Sequence, residues 1–160
     1  MHPALSPLKF LIGKWKSSSA LGKLPAKSSA RDFHYEETIE FQEIGQPLLN
    51  FTSFSKIGDR PMHLESGFLR INPGTSEVAF VVSHNFGICS IEEGNVDETK
   101  VQLESTAITR IAFAKSPNVT KIRRIMTMLE DGQLEIRTDM STESDPELTN
   151  HLVVLYKKLN

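Results

Sequence analysis

The chain has few of the residues that carry the commonest protein chemistry. Its 160 residues include a single cysteine, Cys89, one tryptophan and two tyrosines. One cysteine excludes an internal disulfide and a multi-cysteine zinc site. It also fits a reducing, intracellular compartment. In the strand-like run ICSIEE we expect Cys89 to be a buried, unreactive thiol.

Strong charge and long apolar runs are also absent. The net charge is −2, so nothing draws the whole chain to nucleic acid or to an anionic membrane surface. The short basic run at Lys121, Arg123 and Arg124 is interpreted as a solvated strand face. No apolar stretch approaches the roughly 18 residues that span a bilayer, and the N-terminus lacks a signal-peptide pattern. These features predict a cytoplasmic protein that binds neither nucleic acid nor membrane.

No sequence motif for hydrolysis or nucleotide binding is present. The chain contains no GxSxG, P-loop or dinucleotide-binding glycine pattern. It also lacks the closely spaced HxH or HxxxH sets that mark many zinc sites, which argues against zinc hydrolysis.

From Glu36 onward the chain shows the alternation of β-strands. Short strands are separated by turn sequences such as NPGTSE at 72–77 and EDGQ at 130–133. About ten strands without helical periodicity predict an all-β fold. The expected architecture is an antiparallel up-and-down β-barrel of the lipocalin or fatty-acid-binding-protein kind. A barrel of this size can enclose a ligand.

The N-terminal part, residues 1–35, differs in composition from the expected barrel strands of residues 36–160. A helical turn is predicted over 5–11, with Ser6 as N-cap, Pro7 at the first helical position and Gly13 ending it. The Ser/Ala/Lys-rich stretch that follows predicts a long mobile loop. Trp15 is expected in the core. The whole chain, 1–160, is interpreted as one domain.

Five histidines are the main candidates for chemistry. We expect His2 to lie in a frayed terminus and His34 to be an exposed polar residue. His84 shares its strand face with Val78, Phe80 and Val82, which form a credible inward face, and His63 shares its face with Glu65. Both faces of the last strand are apolar, so alternation does not place His151.

A single inward histidine can serve haem, because the porphyrin supplies four nitrogens and the protein needs only an axial ligand. The spacing of the histidines does not test this, and structural roles for all three stay open.

Several segments, taken in order, resemble the nitrobindin family. They are FLIGKWK, YEETIEF, GQPLLNFTSF, PMHLESGFLR, VAFVVSHNFG, RIAFAK and HLVVLYKK. The resemblance runs from residue 8 to residue 158. The glycine-rich GxWxGxGxG of the family is GKWKSSSAL here, with Ser17 and Ser19 in place of glycines.

The resemblance implies a ten-stranded barrel that binds one haem b per chain in its open mouth. His151 would be the iron ligand, and His63 would lie beside the haem as a catalytic group and cofactor contact. Ser29 is the nearest match to a loop threonine that touches the haem. Relatives often carry glutamine where this chain has His84. The implied ligands are nitric oxide and peroxynitrite, with isomerisation of peroxynitrite to nitrate at ferric haem, and a homodimer is left open.

Two other functions stay open. The fold alone would suit a non-catalytic carrier of fatty acid or another small hydrophobic ligand. Such a carrier should show an inward Arg/Tyr cluster for a carboxylate. Arg137 and Tyr156 are candidates, but their alternation with polar or outer neighbours argues against that role. The third alternative is an interaction module that has lost its haem.

Overall fold

The computed structural model describes residues 1–23 and 32–160, and most of them lie in antiparallel strands. A 3₁₀ helix spans Pro3–Leu11. The strands are β1 (Gly13–Gly22), β2 (Phe33–His34), β3 (Glu36–Glu43), β4 (Leu48–Ile57), β5 (Arg60–Ile71), β6 (Glu77–His84), β7 (Ile88–Asp97), β8 (Lys100–Arg110), β9 (Val119–Met128), β10 (Leu134–Thr142) and β11 (Asp145–Lys158). None of the helices in these described ranges is long and apolar enough to cross a membrane.

The strands close into a barrel. Neighbours run in the order β11, β10, β9, β8, β7, β6, β5, β4, β3, β1, and β1 also pairs with β11. The two-residue β2 pairs only with the end of β1, so it adds to the ten-stranded barrel without being part of the closure. β8 and β9 pair only over residues 100–104 and 123–127, so the last part of β8 and the first part of β9 are not paired with each other. The expected up-and-down antiparallel barrel of about ten strands is confirmed.

The identity of two strands differs from expectation. The segments KVQLEST and ITRIAFAK each have the residue pattern of a strand and so predict two strands, but their strand residues form the single strand β8. The tenth barrel strand is β1, whose residues 17–22 belong to the stretch predicted as a loop, so that prediction was wrong for these residues. A bulge between Ser17 and Ser19 interrupts the alternation of β1, and the interruption hides the strand from sequence patterning. The rest of the expected loop, residues 24–31, lies outside the described residues.

The N-terminal helix begins one turn earlier than expected. His2 is the N-cap, and its Nδ1 accepts a hydrogen bond from the N–H of Ala4 at 3.2 Å. The predicted cap at Ser6 and the predicted fraying of His2 were therefore wrong. Pro7 lies inside the helix, and the C-cap is Ile12.

The helix fills one end of the barrel. Leu5, Leu8 and Leu11 are fully buried in the main apolar core. Trp15 is 1% exposed and donates its indole N–H to the carbonyl of Leu11 at 2.9 Å, which confirms its core position. The backbone N–H of His2 bonds Glu43, so the helix lies at the end that carries the β3–β4 turn. The helix does not fill the opposite end of the barrel, which carries the β4–β5 and β6–β7 turns, and a functional site is therefore expected there.

Two predictions about side-chain exposure were wrong. Cys89 is exposed, on the outer face of β7 between buried Ile88 and Ser90. Arg124 is 5% exposed, so it is not part of a solvated strand face. It shares its strand face with buried Ile122 and Met126 and points into the barrel.

Candidate functional site

A cavity at the open end of the barrel brings together the three histidines whose roles the sequence left open. It has a volume of about 70 Å³ and is lined by His63, His84 and His151. Apolar side chains from four strands and one turn complete much of its wall: Phe86, Ile88, Val119, Ile122, Met140 and Leu152. The two histidines that the resemblance places at a haem thus lie on one cavity. Ser29 lies outside the described residues.

His151 reaches this cavity because of a β-bulge. On β10, Thr138 pairs with Leu152 and Asp139 pairs with Asn150, which leaves His151 as the extra residue on β11. Such a bulge re-aims a side chain that strict alternation would send to the other face. Consecutive residues, His151 and Leu152, therefore both line the cavity.

Two reciprocal hydrogen bonds hold the His151 ring and fix its tautomer. The N–H of Lys23 donates to the carbonyl of His151 at 2.6 Å, and the ring Nδ1 of His151 lies 2.7 Å from the carbonyl oxygen of Lys23. A carbonyl oxygen only accepts, so Nδ1 carries the proton. Burial lowers the pKa of the ring, against the raising effect of the Lys23 carbonyl. The neutral ring then has its lone pair on Nε2, as in histidines that ligate metals.

His63 is held in a different way. Its Nε2 lies 3.0 Å from Nδ1 of His84, and Nε2 of His84 lies 3.0 Å from Oγ of Ser90. Phe86 packs edge-on against the His63 ring, with centroids 5.1 Å apart. Burial lowers the pKa of His63 to about 4, because desolvation outweighs the attraction of Glu65. His63 is thus neutral at physiological pH, with its Nε2 already engaged.

Beneath the histidines lies a buried arginine between two carboxylates. Arg124 donates to both oxygens of Glu65, at 2.9 and 3.2 Å, and to both oxygens of Glu92, each at 3.0 Å. Burial opposes ionisation of Glu65, but the charge of Arg124 outweighs it and the pKa of Glu65 lies well below its usual range. The guanidinium also lies 5.0 Å from the centre of the Phe80 ring, a cation–π contact.

A third carboxyl group lies inside the barrel, on β3. Glu37 accepts a hydrogen bond from the hydroxyl of Tyr156 at 2.6 Å and another from Ser53 at 2.9 Å. Burial raises the pKa of Glu37 in spite of these two bonds. Tyr156 is 2% exposed and points inward, so the outward placement inferred from alternation was wrong. Arg137 is half exposed, as expected.

The two charged residues Glu65 and Arg124 were not predicted to belong to this site. Glu65 stands two residues after His63 on the same strand face, and Arg124 alternates in phase with Ile122 and Met126. Both signals were present in the sequence. They were overlooked because a charged residue in an amphipathic strand is ordinarily placed on the solvent side.

Fold and site together define a class of protein. This is a closed antiparallel barrel with a filled floor and, at its open end, a cavity holding a neutral histidine whose Nε2 is prepared for ligation. Such barrels bind small ligands at their mouths.

Comparison with known protein families identifies the family to which the chain belongs. The model of the THAP4-like, heme-binding beta-barrel domain family matches residues 4–158, and the chain belongs to this family. The resemblance to the nitrobindin family is thereby confirmed.

Three similar proteins illustrate the match. The chain is 39% identical to human peroxynitrite isomerase THAP4 over 99% of its own length, and it spans only 27% of that relative. It is 32% identical to Arabidopsis thaliana peroxynitrite isomerase Rv2717c, covering 99% of this chain and 91% of the relative. The crystal structure of Rv2717c from M. tuberculosis superposes with a TM-score of 0.85 at 30% identity, covering 100% of this chain and 99% of that one.

The residues present fit a haem group by their donor chemistry. A half-buried histidine, to whose Nε2 no described residue is hydrogen-bonded, lines a largely apolar cavity, which is what an axially held porphyrin requires. A cavity of about 70 Å³ is small beside the roughly 300–1,000 Å³ of ordinary ligand pockets. A porphyrin held by His151 would therefore extend beyond this cavity.

Proposed function

We propose that this chain binds one haem b through His151 and isomerises peroxynitrite to nitrate at ferric iron. Nitric oxide would be a second small ligand of the same site. The observation that carries the proposal is the His151 ring: its Nδ1 is bonded to the Lys23 carbonyl, and no described residue hydrogen-bonds its Nε2. Family membership and the names of the relatives support the choice of cofactor and substrate.

When bound, ferric haem would supply a Lewis-acid metal to which a small anion can bind. The chain's own residues determine what surrounds that position. The bond from Lys23 orients the His151 ring and raises the basicity of its Nε2. The apolar wall of Ile88, Ile122 and Leu152 excludes water from the haem face.

His63 is assigned to the bound ligand and not to the iron. Its Nε2 is engaged with His84, whereas the Nε2 of His151 is available. The His63 side chain is 31% exposed and lies beside Phe86, at the entrance of the cavity. It can therefore act as a hydrogen-bonding group or gate for a small molecule entering the mouth.

A fatty-acid carrier is less well supported. A carrier needs a free interior arginine or tyrosine for the carboxylate and an apolar channel for the tail. Here Arg124 is bonded by Glu65 and Glu92, and Tyr156 by Glu37. Phe41, Phe51 and Phe80 fill the lower barrel.

The test of the proposal is haem uptake by the His151→Ala variant. The wild-type chain should take up one equivalent of haemin with a Soret band and convert peroxynitrite to nitrate. His151→Ala should lose axial ligation and the catalysed conversion while its circular dichroism stays that of a folded barrel. His34→Ala is the matched control, because His34 is exposed. An unchanged Soret position in His151→Ala would remove His151 from the role of iron ligand.

A further inference from the structure

Three donor atoms converge beside the proposed haem site. They are Nε2 of His63, Oε1 of Glu65 and Nδ1 of His84. The two nitrogens lie 3.0 Å apart, and the carboxylate oxygen lies 3.3 Å from the His84 nitrogen and 3.5 Å from the His63 nitrogen. With zinc–ligand bonds of roughly 2.0–2.1 Å, two ligand atoms of a tetrahedral site lie about 3.3–3.4 Å apart. The triangle in this protein has almost those dimensions.

The hydrogen bonds around the triangle leave one edge without a proton when the His84 ring is neutral. Ser90 donates its hydroxyl proton to Glu92, so Nε2 of His84 must donate to Ser90. The lone pair on Nδ1 of His84 can then accept the N–H of His63, and it also faces the carboxylate oxygen of Glu65 at 3.3 Å. A proton on Nδ1 would be shared between Glu65 and His63, whereas a metal ion would contact all three donor atoms at once.

The surroundings hold two of the three donors in place. Ser90 holds the far nitrogen of His84, and Arg124 holds the carboxylate of Glu65 by both oxygens. Outer contacts of this kind position the ligands of metal sites. The strands add rigidity, since Glu65 and His84 are directly paired residues of β5 and β6.

The local charge also favours a cation. The charge of Arg124 is matched by two carboxylates, Glu65 and Glu92, all three being buried. The two carboxylates outnumber the single guanidinium by one, and a cation bound at the triangle would balance that difference in a low-dielectric interior.

We propose that His63, Glu65 and His84 form a binding site for a divalent transition-metal ion, zinc being the ion that the geometry fits best. The fourth position faces the cavity, where water can complete a tetrahedral shell. This site goes beyond the proposed haem function and is separate from the His151 nitrogen. The proposed metal site requires His84. The family resemblance implies that many relatives have glutamine at this position.

The experiment is a titration of the full chain, free of any histidine tag and of haem, with Zn²⁺ against a chelating dye. Co²⁺ provides a second probe, because its visible absorption reports on the ligand geometry. We expect saturation at one equivalent. His63→Ala and His84→Gln should each weaken zinc binding by about 100-fold or more, and Ser90→Ala by about 10-fold, as outer-shell changes do. His63→Ala is the safer variant for folding, because the side chain is partly exposed.

His34→Ala and His151→Ala serve as controls and should bind zinc as the wild type does. Absence of one-equivalent binding, or equal affinity in His63→Ala and the wild type, would overturn the site. Loss of zinc in His151→Ala to the same degree would place the ion elsewhere in the cavity and also overturn it. The haem proposal is decided separately by the Soret band of His151→Ala, so the two proposals can fail independently.

Discussion

Replacing Arg124 with methionine should destabilise this protein more than any other single charge removal at the site. The guanidinium makes four N–H···O contacts to two buried carboxylates. Removing one partner of a buried ion pair costs about 3–5 kcal/mol, because the other charge is left unpaired in the interior. Here two carboxylates lose their partner, so we expect a loss at the upper end, about 5 kcal/mol.

Urea unfolding at pH 7, followed by circular dichroism, measures this loss. With a slope of about 2 kcal/mol per molar urea, the midpoint should fall by about 2.5 M. Since small domains have about 5–15 kcal/mol of stability in total, the variant should be near the limit of folding at 37 °C.

Arg123→Met is the matched control. Arg123 is the neighbouring residue, its side chain is 35% exposed, and it pairs with Asp139 at 2.7 Å. The Asp139 carboxylate is buried, but it keeps the hydrogen bond from Asn150 and has the Arg137 guanidinium at 3.8 Å. We therefore expect a smaller loss, about 1–2 kcal/mol. Replacing Glu65, Glu92 and Arg124 together with apolar residues should recover much of the loss, since no unpaired charge remains. Equal losses for Arg124→Met and Arg123→Met would refute the reasoning.

Three further predictions concern other parts of the barrel. His63→Ala should still bind haem, but the rate of nitric oxide dissociation or of peroxynitrite decay should change a few-fold, as expected for the loss of one hydrogen bond of about 0.5–1.5 kcal/mol. Identical stopped-flow rates in the variant and the wild type would make His63 a structural residue. Glu37 has a raised pKa in the folded state, so its contribution to stability is present at low pH and is lost as pH rises through the folded pKa. Glu37→Gln keeps the bonding partners but does not ionise. Between pH 5 and pH 8 the urea midpoint of the wild type should therefore fall relative to that of the variant. Midpoints that change in parallel with pH in the two proteins would count against a raised pKa of Glu37. Trp15→Ala should lower stability by about 3–5 kcal/mol through the cavity it leaves, and a loss below 1 kcal/mol by circular dichroism would show that the floor is not tightly packed.

The fold was largely predictable because alternation and turn chemistry agree along most of the chain. The turn at Gly132 has the positive φ, 82°, that the DG pair of the predicted hairpin requires. Prediction failed where alternation is broken, at the Ser17–Ser19 bulge of β1 and along β8, whose one long strand was divided in two. Bulges depend on the neighbouring strands, so one strand's own residues do not reveal them.

The site was predictable only in part, for the same physical reason. His84 obeys alternation, and the inward face expected for it was correct. His63 and Glu65 were expected on one face, but alternation did not show whether that face points inward. His151 could not be placed, because the bulge at that residue reverses the side on which it would fall. Arg124 was misplaced because a lone arginine is usually solvated, and only the two inward carboxylates from β5 and β7 make its burial tolerable.

Two histidines on one cavity are given different chemistry by their hydrogen-bond partners. Nδ1 of His151 is bonded to the backbone carbonyl of Lys23, just after β1, and this leaves the lone pair of the neutral ring on Nε2. Nε2 of His63 is instead directed at His84 and Glu65. An exchange of the two proposed roles would require breaking both the Lys23 contact and the His63–His84 contact. Under the proposed function, the bulge on β11 would therefore determine which histidine holds the iron, and the pairing of β5 with β6 would hold Glu65 and His84 next to His63.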